Sequence, residues 1–227
     1  MLDSQFLQTM YLSFLLAFCT TVILLPIGIF LGHYLAFSKG FLKVLLETLI
    51  WMPLILPPTV LGFYLLLTFS PNYAFGAFLQ DRLGVKLVFS FWGLVVGSVI
   101  FSLPFMVNPI KNALYSLPSS LSEASYTLGK SKFYTLFFVL LPNVKSSILM
   151  AMVTTFAHTI GEFGVVMMIG GDIAGETRVA SIAIYTQAEA ANYSLANQYA
   201  LSLCILSFVL LFVVIFINRK SENKGVV

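Results

Sequence analysis

Charge is what this sequence has least of. Only 9% of its 227 residues are Asp, Glu, Lys or Arg, against 59% hydrophobic residues and a mean hydropathy of +0.96. A soluble domain carries roughly 25% charged residues. A water-facing surface cannot be built from so few charges, so lipid must cover most of this one. Cysteine is also scarce. Cys19 and Cys204 each sit inside an apolar run and read as small buried hydrophobes, which excludes a disulfide framework and a cysteine metal site. The first ten residues hold no Lys or Arg, and Asp3 is acidic, which argues against a cleaved signal peptide. The basic residues are scattered between apolar stretches, so no nucleic-acid-binding surface is expected.

What is present is a series of long apolar runs. About 20 apolar residues cross the hydrocarbon core of a bilayer, and the chain has room for about five such segments with short loops. The runs cover about Met10–Phe37, Leu45–Phe69, Val88–Ile110, Ser146–Ile169 and Tyr199–Ile217. Residues 70–86 read as a loop. The stretch Val179–Ala191 reads either as a short outer-leaflet helix or as a poorly formed sixth span. The expected fold is therefore all-α and polytopic. It forms a single transmembrane domain over 1–227 with a core at about 9–217 and a polar connection at 111–145.

Lys and Arg placement sets the orientation. One set of connections holds Lys39, Lys43, Lys111, Lys130, Lys132, Lys145, Arg219, Lys220 and Lys224, and the other only Arg82, Lys86 and Arg178. The first set is expected in the cytoplasm, with the N-terminus outside and the C-terminus inside. In the second run Pro53, Pro57 and Pro58 fall within six residues. Proline removes a backbone donor and clashes one turn back. Isolated prolines are tolerated in membrane helices, but this density fits a bent, pathway-lining helix better than a straight lipid-facing one.

The connection at 111–145 carries Leu121-Ser122-Glu123-Ala124-Ser125-Tyr126-Thr127-Leu128-Gly129 and then Val139-Leu140-Leu141-Pro142. Ser119, Ser120 and Ser122 are candidate N-caps, Glu123 suits the first helical turn, and Gly129 is a candidate helix terminator. The pattern describes a short helix, a break and a second helix that re-enters the membrane through Pro142. Ala124–Ser131 falls one residue short of a P-loop: Ala124 stands where the first Gly should be and no strand precedes it, so ATP binding by that motif is excluded.

That spacing resembles the coupling loop of ABC-importer permeases, in which Glu-Ala-Ala is followed by Gly and then by Ile-x-Leu-Pro. Glu123, Ala124, Gly129, Leu141 and Pro142 match, while Ser125 replaces the second Ala and Val139 replaces Ile. A second constellation is Gly161-Glu162-Phe163-Gly164, followed by the loop Gly170–Arg178 with Asp172, Glu176 and Thr177, and by Ala183-Ile184-Tyr185. Together with Pro57-Pro58-Thr59 it is similar to the molybdate-importer permeases, with Asp172 where Asn is usual. Sulfate and tungstate permeases share parts of the pattern.

The resemblance implies a type I ABC-importer permease fold in the bacterial inner membrane, working as a homodimer. It implies two copies of a separate ATP-binding cassette ATPase and an extracytoplasmic oxyanion-binding protein as partners, with no cofactor and no ATPase site in this chain. The 111–145 loop would dock into the ATPase. Pro57, Pro58, Thr59, Gly161, Glu162, Gly164, Glu176, Thr177 and Arg178 become candidates for the gate or pathway. An intramembrane carboxylate repels a dianion, so Glu162 is expected to accept loop amides or pair with Arg178 and so hold the outer gate. His33 and His158 read as polar fillers between helices. An ion-coupled secondary transporter would be expected to show acid or base relays and internal repeats. A membrane enzyme would need convergent nucleophile, base or metal ligands. Neither pattern is found.

Overall fold

The computed structural model describes residues 4–222, and among these every regular element is helical. Asp3 and Lys224, used above for the signal-peptide and orientation readings, lie outside the described residues, as do the side chains of Arg219 and Lys220. The elements in chain order are α1 (Ser4–Phe37), α2 (Phe41–Ile55), α3 (Pro58–Phe69), α4 (Ala74–Leu83), α5 (Phe91–Tyr115) and α6 (Ser119–Thr127). They continue with α7 (Lys132–Thr135), a π-helical turn (Leu136–Leu140), α8 (Leu141–Asn143), α9 (Lys145–Gly161), α10 (Gly164–Gly170), α11 (Ala180–Glu189) and α12 (Tyr193–Glu222).

Three helices are long and apolar enough to cross a membrane singly: α1, α5 and α12 over Tyr193–Val213. The number reaches five when two bent pairs each count as one span: α2 with α3, bent by 110°, and Lys132–Asn143 with α9, bent by 79°. The second pair begins inside the stretch read as a polar connection rather than at Ser146. The run read as span 4 is itself divided, because the backbone leaves the helix at Glu162 (ψ 131°) before α10 begins.

The prolines act differently in the two spans that carry them. In the second run Leu56 and Pro57 are extended (ψ 141° and 132°), and Pro58 opens α3 at a position where its missing N–H costs nothing. α5 instead stays helical through Pro104 and Pro109. Residues 70–86 are not all loop: α4 forms within them and ends at Gly84 in the left-handed region (φ 66°). The stretch from Val179 forms α11, whose 10 residues are too few to span.

The centre of the molecule is the α1–α5 pair. Gly28 and Gly32, one turn apart on α1, let α5 approach closely. A Cβ on Gly28 would collide with Met106, and one on Gly32 would sit 3.2 Å from the Lys111 amide nitrogen. Small residues spaced four apart are a common device for close helix crossings in membranes. Around this seam lie two apolar clusters. One joins Leu16, Leu65, Leu94, Val165 and Ile182, and the other joins Leu24, Met106, Ile110, Leu136 and Leu140. α12 packs on α11 and α9 and exposes Phe208, Phe212 and Phe216, as a lipid-facing helix does.

Candidate functional site

The surface element from α6 to α9 is built around one hydrogen-bonded joint. α6 follows Pro118, which takes the N-cap position with no side-chain cap, so the serine cap expected there does not form. Ser122 Oγ donates instead to Ser119 O at 2.8 Å. The helix ends as expected at Gly129 (φ 73°), where Lys130 N–H donates to Ser125 O and Gly129 N–H to Tyr126 O. These are the paired bonds of a Schellman closure, which needs a residue tolerant of the left-handed region. Ser131 then caps α7, its Oγ accepting Tyr134 N–H at 3.2 Å.

The two halves of the element are pinned by Ser125 and Thr135, both buried, with their hydroxyl oxygens 2.8 Å apart. Thr135 Oγ1 donates to Ser131 O at 3.0 Å, so Ser125 supplies the hydrogen of the pair. Farther on, Leu141 N–H reaches back five residues to Leu136 O. Pro142 has no N–H to offer, and the ladder widens into a π turn immediately before it. Leu141 is buried, Val139 is half-buried, and Glu123, Ala124, Gly129 and Pro142 face outward. Tyr126, Leu128, Phe133 and Phe138 of the same element are exposed as well. Ala124–Ser131 is the end of α6 and its closing turn, without a preceding strand.

The second site lies where the two chain breaks meet. A Cβ on Gly164 would stand 2.6 Å from Pro58 Cβ and 3.1 Å from Thr59 N. One on Gly62 would stand 2.9 Å from Val165 Cα. α3 and α10 therefore touch backbone to backbone, which brings Pro58 and Thr59 against Gly164. Pro57, Pro58 and Thr59 are otherwise exposed, as is Gly161.

Glu162 sits in the gap between α9 and α10 and is 4% exposed. Its backbone carbonyl accepts Ser181 Oγ at 2.6 Å, which ties α11 to the break. The carboxylate is different. Ser98 is its polar neighbour, yet among the described residues neither carboxylate oxygen has a hydrogen bond of ordinary geometry. The expected pairing with Arg178 or with loop amides is not found. Arg178 Nε pairs with Asp172 instead, and Thr186 Oγ1 donates to the other Asp172 oxygen at 2.9 Å. Asp172 is six residues from Arg178 in one loop, and closing that short loop is easier than reaching across to α9.

The loop is rigid in its own right. Thr177 is fully buried, donates to Gly170 O at 2.8 Å and accepts Ile173 N–H at 3.1 Å. Glu176 points outward. Ser13 of α1 accepts Ala180 N–H at 2.7 Å and fastens the loop's exit to the first helix. One turn before the break, His158 Nδ1 lies 3.1 Å from Ser102 Oγ and Ser102 Oγ lies 3.0 Å from Thr159 Oγ1. Thr159 donates to Thr155 O, so Ser102 donates to Thr159 and His158 Nδ1 carries a hydrogen. With Phe105 stacked on its ring at 3.9 Å, His158 is the interhelical polar filler expected. Ser98, Ser102, Thr135 and Thr186 were not singled out from sequence. Ser98 and Ser102, one turn apart in an apolar run, are a signal that could have found two of them.

The family described as binding-protein-dependent transport system inner membrane component matches residues 7–224. The molybdenum transport system permease protein ModB of Azotobacter vinelandii is 41% identical over 212 residues, 93% of each chain. The protein of the same name from Escherichia coli strain K12 is 32% identical, over 93% of this chain and 91% of its own. A crystal structure of a bacterial ABC transporter that imports alginate superposes with a TM-score of 0.80 at 16% identity, covering 96% of this chain and 80% of its own. That likeness is one of fold.

Proposed function

The chain belongs to the family of binding-protein-dependent transport system inner membrane components, and from that premise we propose that it is the membrane-spanning permease subunit of an ATP-driven molybdate importer. The relative at 41% identity, named for molybdenum transport and aligned over nearly the whole of both chains, carries the substrate. The observation that carries the role is the α6–α9 element. It presents Glu123, Ala124 and Gly129 outward, with Tyr126, Leu128, Phe133 and Phe138 exposed as well.

In this reading the exposed face docks on an ATP-binding cassette ATPase, which supplies all of the hydrolysis. Two permease copies, two ATPases and an extracytoplasmic oxyanion-binding protein form the importer in the bacterial inner membrane. The element lies on the cytoplasmic side, so the N-terminus is outside and the C-terminus inside. ATP-driven movement of α6 passes through the Ser125–Thr135 joint into α7 and the π turn, and from there along α9. That helix ends at Gly161 and Glu162, against the contact of Gly164 with Pro58 and Thr59. The outer gate is this contact together with the Glu176–Arg178 loop.

No Lys or Arg lies within the apolar core of α1, α5 or α9. A dianion would thus meet hydroxyl and amide dipoles and no fixed cation, and tight capture would belong to the binding protein. The test is uptake of labelled molybdate, with tungstate and sulfate as competitors, in cells with and without this chain. Uptake that depends on the chain and is competed more strongly by tungstate than by sulfate supports the reading. Uptake unchanged by deletion overturns it, and sulfate-dependent growth lost on deletion moves the substrate to sulfate.

A further inference from the structure

Away from both elements, a cavity of about 240 Å³ opens where α1 and α5 end and α2 begins. Its walls are Lys43 and Glu47 of α2 and Lys111, Asn112 and Tyr115 of α5, over a floor formed by the end of α1. Lys111 Nζ donates to Glu47 Oε1 at 3.1 Å. Lys43, one turn before Glu47, has no ion-pair partner among the described residues. Two cations against one anion leave the cavity with a net positive charge, and both lysines keep part of their surface open.

The surroundings say what kind of anion fits. Phe37, Phe41, Leu42, Val44 and Leu45 are all exposed around Lys43, Phe41 by 82%. α1 and α5, each long and apolar enough to cross a membrane singly, both terminate here. A helix that spans the hydrocarbon ends among the headgroups, the depth the cavity would then have, and the exposed apolar residues on either side of Lys43 in the chain would face the acyl region. A small soluble anion would gain nothing from those flanks, whereas an acyl chain would lie against them. Basic pockets between transmembrane helices at the membrane boundary suit anionic headgroups.

We propose that this cavity is a binding site for an anionic phospholipid. The headgroup phosphate sits between Lys43 and Lys111, Asn112 and Tyr115 donate to its oxygens, and an acyl chain runs over Phe41, Leu42 and Leu45. The site depends on the proposed function only for the leaflet it faces. The lipid would fasten the start of α2 to the end of α5, beside the break that leads into α3.

The test is native mass spectrometry of the delipidated full-length chain with equimolar phosphatidylglycerol and phosphatidylcholine. A juxtamembrane lysine contributes about fivefold in affinity for anionic lipid. Phosphatidylglycerol is expected to be retained over phosphatidylcholine by at least that factor. Lys43→Ala should lose about fivefold, and Lys43→Arg should restore it. Glu47→Gln, which frees Lys111 and removes the repelling carboxylate, should bind more tightly than the parent. A merely structural role for these residues would not give opposite signs at Lys43 and Glu47. Equal retention of the two lipids overturns the proposal, as does indifference to Lys43→Ala. Displacement of the lipid by millimolar inorganic phosphate would make this a soluble-anion site, and protection of Lys43 from labelling only when the ATPase is bound would make it a protein contact. Either result also overturns it. Molybdate uptake is measured separately, so loss of lipid preference with intact uptake defeats this site alone.

Discussion

Ser125 of α6 gives its hydroxyl hydrogen to Thr135 of α7 across 2.8 Å, deep enough that both side chains are shielded from solvent. Through this bond the exposed element and the helix that re-enters the membrane form one piece. Ser125→Ala should keep the fold and cost about 1 kcal/mol. Thr135→Val should cost more, because it strands Ser125 without an acceptor. A double-mutant cycle by thermal unfolding in detergent should return a coupling of about 0.5–1.5 kcal/mol. A coupling of zero would mean the bond does not join the halves.

Gly129 holds φ at 73°, a value closed to proline and costly to β-branched residues. Gly129→Pro should leave the protein in the membrane but remove the Schellman turn. Glu123→Lys should reverse the charge on the outward face. Both are expected to leave membrane abundance near normal, to cut molybdate uptake by at least tenfold and to release ATP hydrolysis from its dependence on transport. Paired uptake and ATPase assays on reconstituted vesicles check this. Normal coupled uptake by both variants would remove α6 from the coupling path.

Gly164 has no room for a methyl group beside Pro58. Gly164→Ala should push α3 from α10 and cost about 1–3 kcal/mol, and Gly164→Val should lower folded yield further. Gly161, beside which a Cβ meets nothing within 4 Å, should accept Ala at little cost. Size-exclusion recovery after a graded heat step separates the two positions. Equal tolerance at both would show that the two breaks are not held in contact.

Glu162 and Arg178 separate under substitution. Glu162→Gln keeps the shape and buries a neutral amide where no partner compensates a charge. It is expected to be as heat-stable as the parent or more so. Asp172→Ala removes the carboxylate partner of Arg178 and one of the two acceptors of Thr186, and should cost about 1 kcal/mol and increase proteolysis of the 170–178 loop. If Glu162→Gln destabilised as much as Asp172→Ala, Glu162 would hold a partner in the folded protein.

The apolar spans, the short helix ending at Gly129 and the break before Pro58 were legible because each rests on local chemistry. These are apolar run length, a left-handed terminator and a missing donor. What failed was competition between partners. A buried carboxylate calls for loop amides or a cation such as Arg178, but Asp172 lies closer to Arg178 along the chain and takes it. The serine cap expected at 119–122 failed because Pro118 already has the extended ψ (137°) that a cap residue needs. α4 was read as loop because Asp81 and Arg82 interrupt its apolar residues, although Gly84 marked its end. The π turn could be foreseen only as a disturbance near Pro142.

Gly28 and Gly32 contribute no spacer of their own, so Met106 and Ile110 of the fifth helix seat directly on the backbone of the first. Two rods interlocked in this way resist rotation and sliding past each other. The pair then serves as the fixed beam of the molecule. Alternation between open and closed forms would then fall to places where the polypeptide departs from helix, among them residues 56–57 and 162–163. Those two joints meet where Gly164 packs on Pro58 and Thr59, so a shift at one presses on the other.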